Sequence, residues 1–395
     1  MTTLPFNIEL KKINNLFQKL SELLEVGYQR NENLVPEEVQ NLMAGFQQGS
    51  SCHAKSQNIF VFVAGINSYM HKKIRGASEI ETVKAIIKEC PEFLFVKDSK
   101  GNLPLHIACG DNNSSHIYVP LLARVGVYNG VGGNNGRGGL LVEGSQNLLA
   151  IGMLARKGNI DVIKRLRSTT PPLFKDEDIT NYNLVHLAVF QMQLKMVKYL
   201  ISNNLAAVYS KTCKGGCLPL HFSQSLEMVT QLLESAIMAN PSHATIGGLF
   251  AKDDDGKMPI DHILTQHNSE NAWNTIAKVL SKHKDVTILH EAIRHAPSHV
   301  DYIIKNFPYA CFLRDQKGRL PVHVALHEGM KWSGALISIM NANSDCLWDI
   351  DPVTGFYPVV LASCEPSCDL KTIDYLMRVH PGIVFSPEIE VEMKQ

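Results

Sequence analysis

The sequence predicts an all-α chain in which helix-turn-helix repeats stack into a solenoid. Two observations support this prediction: a frame of residue types returns along the chain, and its returns are almost regularly spaced. Self-similarity of this kind indicates repeats that bury their apolar faces against one another. The frame is clearest in two stretches: Asp98, Gly101, Pro104, Leu105, His106 and Ala108, and then Asp315, Gly318, Pro321, Val322, His323 and Ala325.

The register of the repeats follows from the His position of the frame. Successive occupants are separated by 46, 34, 35, 40, 29, 33 and 37 residues, which indicates one continuous array with insertions. The second occupant, in the long first interval, is aligned through Ala155, Gly158 and Val162. The occupants are, in order, His106, Gly152, His186, His221, Asp261, His290, His323 and Val360.

Three segments resemble the ankyrin-repeat signature: GNLPLHIA at 101–108, GCLPLHFS at 216–223 and GRLPVHVA at 318–325. Their spacing is similar to the ankyrin period of about 33 residues. The resemblance covers residues 56–383, in about eight or nine repeats. It implies that each repeat folds as a turn, two antiparallel helices and a short hairpin loop. It also implies a protein that binds other proteins.

One position departs from the family pattern. The resemblance implies a Thr two residues before the signature Leu, where its hydroxyl helps to cap the first helix and meets the His. This chain has Leu103, Leu218 and Leu320 at that position, and Thr only at Thr287. The Thr-to-His hydrogen bond is therefore expected to be absent from most repeats.

Prolines predict where several second helices end. Pro91, Pro171 and Pro308 each stand seven residues before the Asp position of the frame. Because proline cannot continue a helix, the helix of the preceding repeat is expected to end before each of them.

Residues 1–55 are predicted to form an N-terminal helical extension or cap. Ile13, Leu16 and Leu20 recur at helical spacing, and Pro36 followed by two Glu residues predicts the start of a second helix. These helices either cover the open end of the array or bind a partner or a second copy. Residues 384–395 are predicted to be a polar tail that frays.

A Gly-rich insert at 125–142 explains the longest interval. Seven of the fourteen residues in 126–139 are Gly. No Gly is followed by Lys and Ser or Thr at the spacing of a phosphate-binding loop, and the dinucleotide-binding glycine pattern is also missing. Short apolar pieces at its two ends suggest a hairpin with positive φ at its tip. The insert is either a structural or mobile loop or a binding loop.

Composition excludes several classes of protein. The 395 residues contain 38 Lys plus Arg and 38 Asp plus Glu, so whole-chain charge does not favour nucleic acid as a partner. No apolar run approaches the length of a membrane span. The start of the chain lacks the pattern of a secretory signal. The nine cysteines are odd in number and scattered, which favours reduced thiols in the cytoplasm, with the nucleus also possible.

Metal sites are not expected. Three consecutive Asp residues at 253–255 precede a Gly, but a calcium loop aligned there would begin at Ala251 and end at His262, which are the wrong ligands. Cys213 and Cys217 are four residues apart and lack the further ligands of a zinc site. No cofactor is implied.

Catalysis is not expected either. Five histidines occupy the signature position, where the resemblance implies local hydrogen bonds within the repeat. His290 and His295 come close to the zinc-protease pattern, but their spacing is one residue too long to share a helix face. No Ser, Cys or Lys stands in a recognisable nucleophile motif. The sequence therefore predicts a protein that is not an enzyme.

The resemblance implies a concave binding face made of turn residues after the Asp position and of residues four and five after the His position. At these positions Lys and Arg outnumber Asp and Glu by nine to five, so the face is predicted to be exposed and mildly basic. The candidate partner-binding residues are Lys100, Asn102, Asp111, Arg156, Lys157, Tyr182, Phe190, Lys257, Arg294, Lys317, Arg319 and Glu328.

The predicted partner is a protein, held through an acidic or phosphorylated segment. Tyr182, Phe190 and Phe356 are the candidate aromatic anchors. The alternatives are a solvated face with a chance imbalance of charge, or a regulatory protein whose groove binds nucleic acid or a small ligand. Nucleic acid is the less favoured, because nine cations are few for contacts with phosphates.

Overall fold

A computed structural model of the chain describes residues 10–30, 35–47, 65–66, 68–70, 80–98, 100–133, 137–239, 246–280, 282–283 and 287–379. The remaining parts of the predicted N-terminal extension and first repeat, and the predicted tail at 384–395, lie outside these ranges. Within them every regular element is a helix, and an isolated backbone bridge joins Glu143 and Leu149. The prediction of an all-α class is confirmed. The chain divides into two compact units, Met1–Asn204 and Leu205–Gln395.

The first unit is a succession of helices, several of them short. Glu37 and Glu38 lie in the first turn of α2, where their negative charges interact favourably with the positive end of the helix dipole. The α-helices are α1 (Leu10–Arg30), α2 (Glu37–Gln47), α3 (Ile80–Glu89), α4 (Pro104–Gly110), α5 (Ser115–Tyr128), α6 (Ala150–Lys157), α7 (Ile160–Arg167), α8 (Glu177–Asn181), α9 (Leu184–Phe190) and α10 (Leu194–Asn203).

Helix α1 packs against α3 at the start of the first unit. Its Ile13, Leu16 and Leu20 are buried, as the helical spacing predicted. Lys12 forms an ion pair with Glu92, in the 3-10 helix that follows α3. These contacts place α1 against α3 and the turn that follows it.

The second unit continues the same succession. Pro259, Pro321 and Pro358 open α12, α16 and α18, where a missing N–H costs nothing. A short 3-10 helix, Pro219–Phe222, occupies the equivalent place in the first repeat of this unit. The α-helices are α11 (Leu226–Ala239), α12 (Pro259–Gln266), α13 (Ser269–Leu280), α14 (Ile288–His295), α15 (Val300–Asn306), α16 (Pro321–His327), α17 (Gly334–Ala342), α18 (Pro358–Cys364) and α19 (Leu370–Val379).

Within each unit the helices form two rows. In the first unit α4 contacts α6 and α6 contacts α9, while α5 contacts α7. In the second unit α14 contacts α16 and α16 contacts α18, while α11, α13, α15 and α17 contact one another in that order. Within a unit, the helices that carry the His position of the frame therefore pack on one another, and the helices that follow them form the second row.

The three prolines mark helix ends as predicted. Helix α3 ends at Glu89, two residues before Pro91, and α15 ends at Asn306, two residues before Pro308. Helix α7 ends at Arg167, shortly before Pro171. Pro91 and Pro308 each open a 3-10 helix that leads into the next turn.

The described residues of the Gly-rich insert, 125–133 and 137–142, form helix and turns and no hairpin strands, so the expectation of a hairpin was wrong for them. Val125 and Val127 lie inside α5, whose Gly126 is buried. Gly138 has a φ of 69° and lies against the carbonyl of Ala123, which only a residue without Cβ allows. Arg137, next to it, forms an ion pair with the buried Asp178. The helix continues because backbone from the insert covers its last turns.

Replacing Gly138 with Ala is expected to lower the free energy of unfolding by about 3 kcal/mol, because it adds a left-handed strain and a collision with the backbone of α5. Gly130→Ala is the matched control. Its φ is 75° and nothing lies within 4 Å of an added Cβ, so only the strain, about 1 kcal/mol, is expected. Urea unfolding measures both. Equal losses would contradict this packing.

Three histidines of the frame each join the start of their own helix to a later turn. Nδ1 of His106 accepts the backbone N–H of Leu103 at 3.2 Å, so Nε2 carries the proton and donates to the carbonyl of Val142 at 2.9 Å. The backbone N–H of Leu103, two residues before Leu105, thus meets the His ring, and the Leu103 side chain is buried. The same two bonds recur at His221 with Leu218 and Lys257, and at His323 with Leu320 and Asp349.

His290 keeps half of this arrangement. Its Nε2 lies 2.8 Å from the carbonyl of Arg319, but its buried Nδ1 has no hydrogen-bond partner among the described residues. Burial is the main reason that the pKa values of these four histidines lie below the usual range, that of His290 at about 4. Each ring is therefore neutral in the folded chain near pH 7.

Acid is expected to destabilise the fold through these histidines. Because their folded pKa values are lowered, the unfolded chain binds more protons, and stability present above about pH 6.5 is lost as the pH falls towards about 4. Urea unfolding at several pH values in this window measures the loss. His116→Gln, at an exposed histidine on α5 that forms no ion pair with another described residue, is the control and is expected to keep the full acid-induced loss. A free energy of unfolding that stays constant across the window would contradict the assignment.

Candidate functional site

The turns that precede the first helices are held by an Asp carboxylate. Oδ1 of Asp98 accepts the backbone N–H groups of Lys100 at 2.9 Å and Asn102 at 2.8 Å. Gly101 in this turn has a φ of 84°. Asp253 and Asp315 make the same pair of bonds in the second unit. The turns present three of the candidate residues as exposed side chains: Lys100, Lys257 and Lys317.

Two candidates were expected to be exposed and are buried instead. Oδ1 of Asn102 accepts the backbone N–H of Ser145 at 2.9 Å, which ties its turn to the next one. Arg319 is 6% exposed, and its Nε and Nη2 donate to Oδ2 of Asp315 at 3.1 and 3.0 Å. Both follow the turn Asp by four residues, and their side chains fold back over the turn. Lys257 stands at the same place after Asp253 and is exposed, so the prediction of exposure was wrong for Asn102 and Arg319 but not for Lys257.

Arg294, Arg319 and Glu328 meet in one charge network. Nη1 of Arg294 lies 2.8 Å from Oε1 of Glu291, its Nη2 lies 3.1 Å from Oδ2 of Asp315, and its Nε lies 3.9 Å from Oε1 of Glu328. Asp315 therefore forms ion pairs with both Arg294 and Arg319. Burial raises the pKa of the Glu291 carboxyl, an effect that Arg294 opposes. The charges of both arginines are compensated inside the fold, which reduces the basic character predicted for this part of the face.

Asp111 also has an internal role. Its Oδ2 accepts the backbone N–H of Ser114 at 2.8 Å, directly before α5. Tyr182 is half-buried and follows the short helix α8. These two candidates are thus partly committed to the local structure around them.

Arg156, Lys157 and Phe190 are brought together at the ends of α6 and α9. The two helices are in contact, and a Cβ added at Gly152 of α6 would lie 2.9 Å from Leu187 of α9. One added at Gly158, which follows Lys157, would lie 2.5 Å from Oε1 of Gln193. The last turns of the two helices are therefore neighbours. Arg156 is half-buried and Lys157 is exposed.

Met192 belongs to this group, although it is not among the residues that the sequence predicted for the binding face. It stands six residues after the His position, where the other two helices with this ending have Gly158 and Gly329. Its φ is 53°, against 74° and 66° at the two glycines. The N–H of Gln193 donates to the carbonyl of Ala188, which closes the same helix ending as in the other two repeats.

A side chain at that position has a cost. The left-handed conformation costs a residue with a Cβ about 1 kcal/mol or more. Met192 is nevertheless 58% exposed, beside Phe190 at 52%. Aligning the repeats by sequence would have revealed a Met where glycine is used, but not its exposure.

No group of three or more His, Cys, Asp or Glu side chains that could hold a metal ion occurs in the part of the chain that the structure describes. Cys213 is exposed and Cys217 is half-buried, and Sγ of Cys217 lies 3.8 Å from Oδ2 of Asp253. No helix in the described ranges is long and apolar enough to cross a membrane.

No protein-family model matches the chain, and no curated protein matches it.

The charge network can be tested at Asp315. Asp315→Ala removes the acceptor of two turn N–H groups and of both arginines, so the free energy of unfolding is expected to fall by about 3 kcal/mol. Asp253→Ala is the matched control, because Asp253 holds the same kind of turn and forms no ion pair with another described residue. About 1 kcal/mol is expected there. Equal losses in urea unfolding would show that the arginines contribute nothing.

Proposed function

We propose that the chain is an ankyrin-type solenoid that acts as a non-catalytic protein-interaction module or scaffold. The registered copies of the frame support the architecture, since the resemblance implies turns followed by pairs of helices. The two rows of helices within each unit are what such a stack requires. The short turns that bring each His to the next repeat also agree with it.

One observation carries the functional part of the proposal. The residues that recur in every good copy, Asp, Gly and His, are occupied by backbone hydrogen bonds, while the residues between and after them differ from repeat to repeat. Several of the variable residues are exposed, including Lys100, Lys157, Phe190 and Lys317. Repeat arrays use such extended variable surfaces to bind other proteins.

The proposed partner is a protein that presents an acidic or phosphorylated segment. Lys100 and Lys317 project from turns, and neither forms an ion pair with another described residue. Arg294 and Arg319 are not part of this attraction, because their charges are compensated by Glu291, Asp315 and Glu328. Exposed cations of this kind mainly raise the association rate, and salt screens them.

Crosslinking capture from native lysate by the full chain tests the proposal. We expect Lys100→Glu combined with Lys317→Glu to reduce the yield of captured partner about threefold at low salt, and less at high salt. Lys195→Glu combined with Lys198→Glu, at exposed positions on α10, is the matched control and should leave the yield unchanged.

Two outcomes count against the proposal. Failure of the full chain to capture any protein argues against an interaction module. Equal capture by the charge-reversed variant at low salt argues against the acidic segment. A steep loss of binding with salt, together with captured nucleic acid, would favour a nucleic-acid partner instead.

A further inference from the structure

We propose that the adjoining ends of α6 and α9 form a docking surface for a protein segment that carries carboxylates beside a large apolar side chain. The surface consists of Arg156, Lys157, Phe190 and Met192, and we call it the α6–α9 end surface. The inference rests on the proposed function, because it takes a protein as the partner and names the chemistry that would be recognised.

The apolar half of the surface is placed there at a cost to stability. Glycine would close α9 without strain, as Gly158 closes α6 and Gly329 closes α16. Met192 takes the left-handed conformation instead and exposes 58% of its surface. A residue that strains the backbone and also leaves an apolar side chain in water contributes little to folding. Strain of this kind is often kept for function.

Phe190 and Met192 together suit a binding role. They stand on either side of Gln191, and both side chains are more than half exposed. Exposed aromatic and methionine side chains are enriched where proteins bind partners, and methionine adapts its shape to different ligands. The pair therefore offers an apolar contact for one large side chain of a partner.

The two cations of the surface, Arg156 and Lys157, indicate a partner segment with negative charge. Arg156 and Lys157 form no ion pair with another described residue, and no carboxylate occurs in 156–158 or 190–193. Basic residues in the last turn of a helix are favoured by the helix dipole, which accounts for their presence on α6. The dipole of α6 does not account for the exposed apolar pair beside them on α9. Cations next to an apolar contact complement carboxylates next to an apolar side chain.

A library of short displayed peptides of random sequence, selected on the immobilised full chain, tests the inference. We expect enriched peptides to combine Asp or Glu with a neighbouring Leu, Phe, Met or Trp. One enriched peptide is then synthesised with a fluorophore, and its affinity is measured by anisotropy. Arg156→Glu combined with Lys157→Glu is expected to weaken it about tenfold.

Met192→Gly separates binding from stability. It removes the strain and the exposed side chain together, so the melting temperature of the chain is expected to rise by about 2 °C while peptide affinity falls about fivefold. Two matched controls should leave the affinity unchanged: Phe312→Ala, at an apolar side chain that is 59% exposed in the second unit, and Lys195→Glu with Lys198→Glu.

The outcomes distinguish this surface from the broader proposal. Peptides that bind but are unaffected by the Arg156, Lys157 and Met192 changes overturn the docking surface and leave the interaction module standing. Enriched peptides without acidic residues also overturn it. If no peptide is enriched and the full chain captures no protein from lysate, both proposals fall.

Discussion

The two-sided hydrogen bond of the histidine at the His position ties the start of a helix to a later turn at His106, His221 and His323. The ring receives an N–H from the start of its own helix and donates to a carbonyl of the next turn, as at His106 and His323. The bond is local on one side and crosses a repeat boundary on the other. Burial keeps the ring neutral, so the acceptor at Nδ1 and the donor at Nε2 are both retained. Local helix start and long-range stacking are thereby fixed by one side chain.

This constraint separates scaffold positions from positions open to function. The turn Asp uses its carboxylate on backbone N–H groups, and the side chains of Asn102 and Arg319, four residues after it, fold back over the turn. The second residue after the Asp is exposed, as Lys100 and Lys317 are. Lys257 shares the place of Arg319 in its turn and is exposed. Neither the chemical type of a charged residue nor its place in the turn therefore decides by itself whether it is available to a partner.

The ends of the first helices show a different balance. At Gly329 a side chain would collide with Ser367 of the following repeat, so close packing demands glycine. At Met192 the side chain is largely in solvent, and only the backbone conformation disfavours it. The chain tolerates that strain because the hydrogen bond from Gln193 to Ala188 still closes the helix. The same backbone ending thus serves packing in one repeat and exposes an apolar side chain in another.

The sequence by itself determined the all-α class, the turns that begin at Asp98 and Asp315, and the helix ends at Pro91, Pro171 and Pro308. These depend on short-range properties: the 3.6-residue period of the helix, the fixed φ of proline, and the positive φ that Gly101 or Gly318 supplies. The sequence also placed Lys100, Lys157, Phe190 and Lys317 among the exposed candidates.

Tertiary structure decided the rest, because it depends on which side chains meet across repeats. The spacing of the sequence pattern could not show that Arg294 and Arg319 both pair with Asp315, because Arg294 lies in α14 and Asp315 lies in a later turn. It could not show that the Gly-rich insert extends α5, because this depends on backbone packed against Ala123. Exposure at Met192 depends on what its neighbours leave uncovered. Burial and charge compensation are properties of the assembled repeats, and a linear pattern does not contain them.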